Sequence, residues 1–360
     1  MDFVQKLALR QSIIITLSSS AIAMLFLSVW WWRNGCKMTS KRSGRKPPPI
    51  KQRDWSLTGY LTEVKLYPLK SGHAVDLSEA EATPLGLKSG FLRDRFFIVF
   101  DESGNFVTGR KYPEMVLIKV TAPRDGHYVF SAPGSNELNI QIPEASKEKK
   151  NRKFKCRLWN DRVCGIDTGD NAAMWISQFL LKEKDGLRIG FYDAEFGVER
   201  CVSPLNQIYQ SLTPGDTGAF SDLSAFLLIS EDSVAELNGR LGEDDKVSCG
   251  NFRPNLVFKG IDDGKPFEED TWEWIRIGNE EGPVFRNVKP CTRCIFTTVD
   301  PEKGVKNGNK EPLATLKSYR QLSDRKALRL EGTAPVMGIN LGLYSEGAVH
   351  VGDPVYIGKL

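Results

Sequence analysis

Histidine is scarce here: His73, His127 and His350 are the only three in 360 residues. None stands in an HExxH-like or paired spacing, which argues against a histidine-rich metal site. No GxGxxG follows a strand to open a helix, no GxxxxGK[ST] occurs, and no GxSxG nucleophile elbow is present. The chain therefore has no dinucleotide, nucleoside triphosphate or serine-hydrolase fingerprint of its own. A second CxxC is also missing, so the one at Cys291 and Cys294 lacks the partner pair that a structural zinc site usually needs. The seven cysteines (Cys36, Cys156, Cys164, Cys201, Cys249, Cys291, Cys294) are odd in number and scattered, which argues against a disulfide framework.

Charge is absent from Ile13 to Trp32, "IIITLSSSAIAMLFLSVWWW". About twenty apolar residues cross a bilayer core as one helix, and the closing tryptophans suit the lipid–water interface. The run is longer than a signal-peptide core and no small-x-small cleavage site follows it, which favours an uncleaved anchor at 13–32 behind a short segment, 1–12. Lys6 and Arg10 precede it; Arg33, Lys37, Lys41, Arg42, Arg45 and Lys46 follow, so the positive-inside rule places the C-terminal body in the cytosol. Cysteines there are expected to be mostly reduced. The net charge of +4 belongs to this flank: residues 1–53 hold ten Lys and Arg and one acid, leaving 39 basic against 44 acidic residues. The basic flank suits anionic lipid. An acidic body removes the main support for nucleic-acid binding.

A basic, proline-rich linker spans 33–54, and the rest reads as a β-rich mixed α+β body. "RDRFFIVFDESGNFVTGRKYP" is a hairpin signal, followed by "MVLIKVTA", "HYVFSA" and "LNIQI". An amphipathic helix is predicted within 167–183, closing a first domain at 55–183. A second series spans 187–358: strand "LRIGFY", strand "FLLIS" with Ser230 as N-cap of "EDSVAELNGRL", strands "NLVFKG" and "WEWIRIG", and a cysteine strand running through "IFTTV". Helix "PLATLKSYRQ" and closing strands "MGINLGLYS" and "VHVGDPVYIG" complete it. Short strands with few helices suggest a barrel or strongly curled sheet for this second unit.

Chemistry concentrates in "VKPCTRCIFTTVDP" (288–301). A dithiol exchanger usually opens a helix that lowers its thiol pKa, whereas the β-branched sequence here reads as strand. Two readings stay open: an ordinary buried pair of cysteines, or one special thiolate. Arg293 favours the second, since a guanidinium stabilises thiolate and forks onto phosphate or carboxylate; Thr292 adds a hydroxyl. Lys70, Ser71 and Gly72 in "YPLKSG" form an anion-nest candidate. Arg95 in "LRDRF" and Arg253 in "NFRPN" are further cations beside strands or turns.

Together, "YPLKSG", "GLKSGFLRDRFFIVFDESGNFVTGRKYPEMVLI", "NFRPNLVF", "PCTRCIFTTVDPEKG", "EPLATLKSYR" and "VGDPVYIG" resemble, in order and from about residue 55 onward, the MOSC-domain molybdenum enzymes of the mitochondrial amidoxime-reducing component family. The resemblance implies a β-barrel-like N-terminal domain followed by a β-barrel MOSC domain. It further implies a molybdenum–molybdopterin cofactor (pyranopterin dithiolene in mononucleotide form), and neither NAD nor haem on this chain. By family correspondence, and not by spacing, Cys294 is the molybdenum ligand and Cys291 is structural. Cofactor contacts map to Lys70, Ser71, Arg95, Arg253, Thr292 and Arg293, and to Ser224, with Leu223 offering main chain only. Thr292 stands where relatives carry serine, Leu223 where threonine is expected, and Asn340 where a tyrosine near the cofactor is expected.

The implied reaction is reduction of N-hydroxylated compounds (amidoximes, hydroxamic acids, N-hydroxyguanidines and, at the edge of the class, nitrite) to the N–H form with release of water. Electrons would come from NADH through cytochrome b5 reductase and cytochrome b5, at the mitochondrial outer membrane rather than the endoplasmic reticulum or peroxisome. The terminal "GKL" lacks the serine of a peroxisomal S-K-L signal. The alternatives are a MOSC-type sulfur carrier or cofactor-binding module, and a membrane-tethered scaffold with buried cysteines.

Overall fold

The computed structural model describes residues 54–197, 200–262 and 264–359. The expected membrane segment at 13–32 and the linker up to residue 53 lie outside these. Among the described residues no helix is long and apolar enough to cross a membrane.

Seven strands close a barrel: β1 (Asp54–Leu66), β2 (Phe226–Ser230), β3 (Leu256–Gly260), β4 (Trp274–Ile277), β5 (Val284–Thr292), β6 (Val336–Ser345) and β7 (Pro354–Lys359). The ladder runs β3-β2-β6-β5-β4-β7-β1, and β1 returns to β3. The β2–β3 pair is parallel, so it needs a crossover, and the helix Glu231–Asn238 lies within it. Ser230 caps that helix as its sequence predicts, its hydroxyl accepting from the Asp232 N–H at 3.1 Å. Closure falls to β1. Irregularities at Leu57/Gly59 and Leu61/Glu63 let its first half pair with β7 and its second half with β3. Leu61, Phe226, Leu228, Phe258, Phe285 and Ile339 fill the interior, each worth roughly 1.5–3 kcal/mol of burial.

The short strand Val75–Leu77 adds to β1 as an eighth member of this sheet, and the remaining strands form three open ladders. One orders Lys153–Leu158, Asp161–Asp167, Leu187–Phe191, Phe97–Asp101 and Phe106–Val107. A second joins Lys119–Arg124, His127–Ser131 and Leu138–Gln141. The third pairs Gly347–His350 with Glu79–Thr83, then Gly86–Ser89 and Leu92–Arg93. The helix Asp170–Leu181 buries Trp175, Ile176 and Phe179 against Phe97, Phe130 and Ile189.

Several local expectations change. "LRIGFY" joins the first-domain ladder, because Ile189 pairs with Val99 and both are buried in that core. "VHVGDPVYIG" is two strands in different sheets, broken where Asp353 Oδ2 accepts from the His350 N–H at 2.7 Å and Gly352 adopts φ +92°. "IFTT" after Cys294 is a 3-10 turn, Ile295–Thr298, and not strand. The Thr297 and Thr298 hydroxyls donate to the carbonyls of Cys294 and Ile295, at 3.0 and 2.8 Å, which favours the turn over an extended ladder. Helices Ser146–Asn151 and Arg325–Glu331 were not legible beforehand.

Gly338 of β6 has φ +70°, and a Cβ there would stand 2.6 Å from the Leu228 carbonyl and 3.4 Å from the Arg293 Nη2. Gly338→Ala is expected to cost at least about 2 kcal/mol of unfolding free energy, read from denaturant melts. A loss under ~0.5 kcal/mol would show that this strand tolerates a side chain.

Candidate active site

Strand β5 delivers the cysteine motif to the barrel rim and ends at Thr292. The Arg293 N–H donates to the Pro335 carbonyl at 2.7 Å. Its buried guanidinium is committed to main chain: Nε and Nη2 donate to the Met337 carbonyl (2.8 and 2.5 Å) and Nη1 to that of Phe252 (2.9 Å). Arg293 therefore braces β5 against β6 and against the residue preceding Arg253, leaving little of its fork for a ligand. Cys294, by contrast, is exposed, while Cys291 is half-buried. Surrounding protein withdraws hydration from the Cys294 thiol and pushes its pKa up; the charges of Arg110 and Arg293 oppose that, and Asp222 adds to it.

Three of the mapped cations and polar residues share a backbone peculiarity. Ser71, Arg95 and Arg253 adopt the left-handed region at φ +67°, +53° and +55°, a conformation that costs of order 1 kcal/mol or more for non-glycine residues. Main-chain contacts enforce it: the Arg95 N–H donates to the Tyr67 carbonyl at 2.6 Å, and Lys70 N–H to that of Phe97 at 2.8 Å. The result is convergence on Tyr67. The guanidinium carbons of Arg253 and Arg95 stand 4.2 and 4.6 Å from its ring centre, and Arg253 also lies 5.4 Å from the Phe296 ring. Gly109 lets that ring sit close, since a Cβ there would meet Phe296 at 2.3 Å.

One buried carboxylate organises the group. Asp94, 1 % exposed, accepts from the Tyr67 N–H (2.9 Å) and Asn255 Nδ2 (3.0 Å) and pairs with Arg95. Arg95 also donates to Asn255 Oδ1 at 3.1 Å and to the Arg253 carbonyl at 3.2 Å. Arg253 has no acid of its own. Burial, followed by the Arg95 charge, lowers its proton affinity, outweighing the opposite pull of Tyr67, although arginine stays charged at neutral pH. Its Nη2, the Tyr67 hydroxyl and Ser221 Oγ are buried without a protein partner. Burial raises the Tyr67 hydroxyl to about 12, so it is a neutral donor at physiological pH.

Lys70, 5 % exposed, reaches the Phe220 carbonyl (3.0 Å) and Asp222 (2.6 Å). Burial lowers its pKa to about 8, with Asp222 pulling the other way. The exposed turn residue Trp159 donates its indole N–H to the same Asp222 oxygen at 2.9 Å, and the Arg110 guanidinium stacks 4.2 Å above that indole. Local desolvation would raise Asp222, but Lys70 and these neighbours hold its carboxyl far below the usual range.

Not every mapped residue joins this cradle directly. Thr292 donates to Glu331 Oε2 at 3.1 Å, a carboxylate that also pairs with buried Lys289 and accepts from the Tyr209 hydroxyl at 2.6 Å. A carboxylate so paired only accepts, which leaves Thr292 only acceptor capacity toward a ligand. Ser224 and Asn340 bond each other at 2.9 Å in a buried pair. Leu223 packs with Val202, Leu212 and Val288, keeping only its main chain available. Asp94 and Asn255 lie inside "LRDRF" and "NFRPN" and Arg110 inside the hairpin segment without standing out there, while Asp222, Trp159 and Glu331 acquire their roles only from partners distant in sequence.

Cys294 also lines a cleft of about 520 Å³ between the cysteine turn and the helix Leu313–Tyr319. A second concavity of about 410 Å³, lined by Tyr209, Trp274, Arg286 and Lys289, holds no cysteine. Among the described residues no three or more His, Cys, Asp or Glu side chains converge as a metal cluster.

Comparison with known proteins gives this geometry a family. The MOSC N-terminal beta barrel domain matches residues 58–183 and the MOSC domain 216–356. Mitochondrial amidoxime reducing component 2 of Bos taurus is 39% identical over 312 residues, 87% of each chain. The chain belongs to the mitochondrial amidoxime-reducing component family. Mitochondrial amidoxime-reducing component 1 of Homo sapiens is likewise 39% identical, over 310 residues and 86% of each chain. Among solved structures, YUAD protein from Bacillus subtilis aligns with TM-score 0.33 and 10% identity, over 85% of this chain and all of that one.

For this member of the amidoxime-reducing component family, inorganic phosphate should bind the cradle more weakly as pH rises through about 8, by up to tenfold per unit, because Lys70 then loses its proton. Calorimetry across pH 6.5–9.5 checks this, and Lys70→Met should remove the step. An unchanged profile in the variant would contradict the assignment.

Proposed function

We propose that this chain is a molybdenum-cofactor-dependent reductase of N-hydroxylated compounds: amidoximes, hydroxamic acids and N-hydroxyguanidines. The observation that carries the reading is the juxtaposition of one exposed thiol, Cys294, with a cationic cradle in which Arg253 Nη2 and the Tyr67 hydroxyl are buried without protein partners. Arginine forks and a buried lysine suit a phosphate group. A lone thiolate suits a soft metal whose remaining ligands are organic. The donor set therefore fits a phosphate-bearing pterin dithiolene. When bound, that group supplies a centre able to accept oxygen and two electrons' worth of redox change.

The chain's own residues do the rest. Lys70, Arg95 and Arg253 hold the anionic end, and the Tyr67 hydroxyl and Ser221 add neutral donors. Arg293 fixes the turn so that Cys294 points outward at a constant place. Cys294 would hold the metal as thiolate, a form that the Phe296 backbone N–H and the charges of Arg110 and Arg293 favour. The relatives are named for amidoxime reduction and for mitochondria, which supports amidoximes as substrates and a mitochondrial location. The basic flank of the 13–32 segment supports a body facing the cytosol, and placement at the outer membrane is what the family resemblance implies. Cytochrome b5 and its NADH-dependent reductase, the donors implied by the family, would be concentrated on the same surface by such an anchor.

Cys294→Ala is expected to lose bound molybdenum and at least ~10³-fold of NADH-driven amidoxime reduction, with Cys291→Ala retaining most of both. Metal analysis and reconstituted turnover with cytochrome b5 and its reductase check this. Equal loss in both variants would point to a two-cysteine site. A loaded wild type that turns over no N-hydroxylated substrate, while Cys294 carries a persulfide, would instead establish the sulfur-carrier reading.

A further inference from the structure

The cleft beside Cys294 has an unusual charge balance. Its floor is apolar, built from Ile295, the buried Leu313 and Ala314. Its charged lining residues are all cations: Arg293, Lys310 and Lys317. Arg293 is spent on main-chain carbonyls, whereas Lys310 and Lys317 are exposed.

Neighbouring acids are committed elsewhere. The Glu311 carboxylate accepts from the Thr315 N–H and hydroxyl, both at 3.0 Å, capping its own helix. Glu331, just before the Thr333–Ala334 wall, is held by Lys289, Thr292 and Tyr209. Lys310 is positioned by backbone: it adopts φ +62°, and its carbonyl accepts from the Ala314 N–H at 3.1 Å where the helix begins. Lys317 sits on the helix Leu313–Tyr319, about one turn past Leu313, and also lines the cleft. The arrangement is an apolar slot with a cationic rim, opening at the sulfur of the one exposed motif cysteine.

We propose that this cleft is the substrate subsite and that Lys310 and Lys317 select N-hydroxylated substrates whose non-reacting end carries an anion, over those whose far end is cationic. The inference rests on the reductase reading and deepens it. A volume of about 520 Å³ falls in the range of small-molecule sites. An aryl or short alkyl body fills the floor while a carboxylate reaches the rim. Ammonium groups are flexible point charges, so the rim discriminates charge sign rather than the shape of the anion. The cleft's lining shares no residue with the cradle of Lys70, Arg95 and Arg253, so the two positive regions are distinct sets of cations with distinct roles.

The test compares aryl amidoximes that differ only at the far end, with carboxylate, methyl or trimethylammonium, on the cofactor-loaded full chain at low ionic strength. Each exposed lysine is expected to contribute roughly two- to fivefold, giving a carboxylate-to-ammonium ratio in kcat/KM of about tenfold or more. That ratio should shrink with added salt and invert in a Lys310→Glu, Lys317→Glu double variant. Ratios within twofold of unity, or unmoved by the double variant, overturn the proposal. In a separate arm, calorimetry measures binding of 4-methylbenzoate, which cannot be reduced. Binding that weakens at least fivefold in the double variant supports the subsite even if no amidoxime is turned over, an outcome that would fell the reductase reading alone. Absence of charge-dependent binding in this arm overturns the subsite.

Discussion

Everything at this site turns on a crowding of positive charge around one phenol ring. Arg95 and Arg253 both lie over Tyr67, and the buried carboxylate available to them, Asp94, pairs with Arg95. Like charges in a desolvated pocket repel, and cation–π contact offsets that only in part, at about 0.5–2 kcal/mol each. Buried donors on Arg253, Tyr67 and Ser221 remain without protein partners. A fold keeps such a cluster when an anion completes it. Asp222 partly takes that place at the exposed edge, through Lys70 and Trp159.

The rest of the architecture makes the crowding possible. Tyr67 follows directly on β1, which closes the barrel, and Asp94 and Arg95 follow the small ladder strand at Leu92–Arg93. Arg253 and Asn255 lead into β3. Barrel closure between β1 and β3 thus brings two distant parts of the chain to one place, and Asp94 and Asn255 lock them there. Arg293 repeats the principle, bonding to β6 and to the turn before Arg253. Arg95 and Arg253, the two cations over Tyr67, both adopt the left-handed backbone, so strain and function coincide at these two residues.

Much of this was legible in the sequence, though unevenly. The hairpin around "DESGN", the Ser230 cap and the amphipathic helix ending near Leu181 follow from turn chemistry and periodicity, which act over a few residues. Lys70, Ser71, Arg95 and Arg253 could be singled out because each sits in a compact polar motif, and the structure brings the two arginines over Tyr67 while Lys70 pairs with Asp222. Non-local facts were not available. Nothing near Asp54 signals a pairing with residue 260, since β-ladder partners leave no mark at such separation. The β-branched run after Cys294 suggested strand, yet threonine hydroxyls bonding back three residues stabilise a 3-10 turn. The role of Arg293 was misleading for a related reason: a guanidinium beside a thiol can serve a ligand or main-chain carbonyls, and its packing here selects the latter. Asp94 and Asn255 show no pattern of their own, because a buried hub is defined by what surrounds it.

The central claim is that Arg253 is retained for an anion and contributes little to the ligand-free fold. Denaturant unfolding of ligand-free and cofactor-loaded protein, for wild type and Arg253→Gln, tests it most directly. The account predicts that the ligand-free variant loses less than about 1 kcal/mol, since repulsion and a buried orphan donor are relieved together, while the extra stability conferred by the cofactor largely disappears. A ligand-free variant destabilised by roughly 3 kcal/mol or more, with cofactor stabilisation intact, would contradict it and make Arg253 a structural residue.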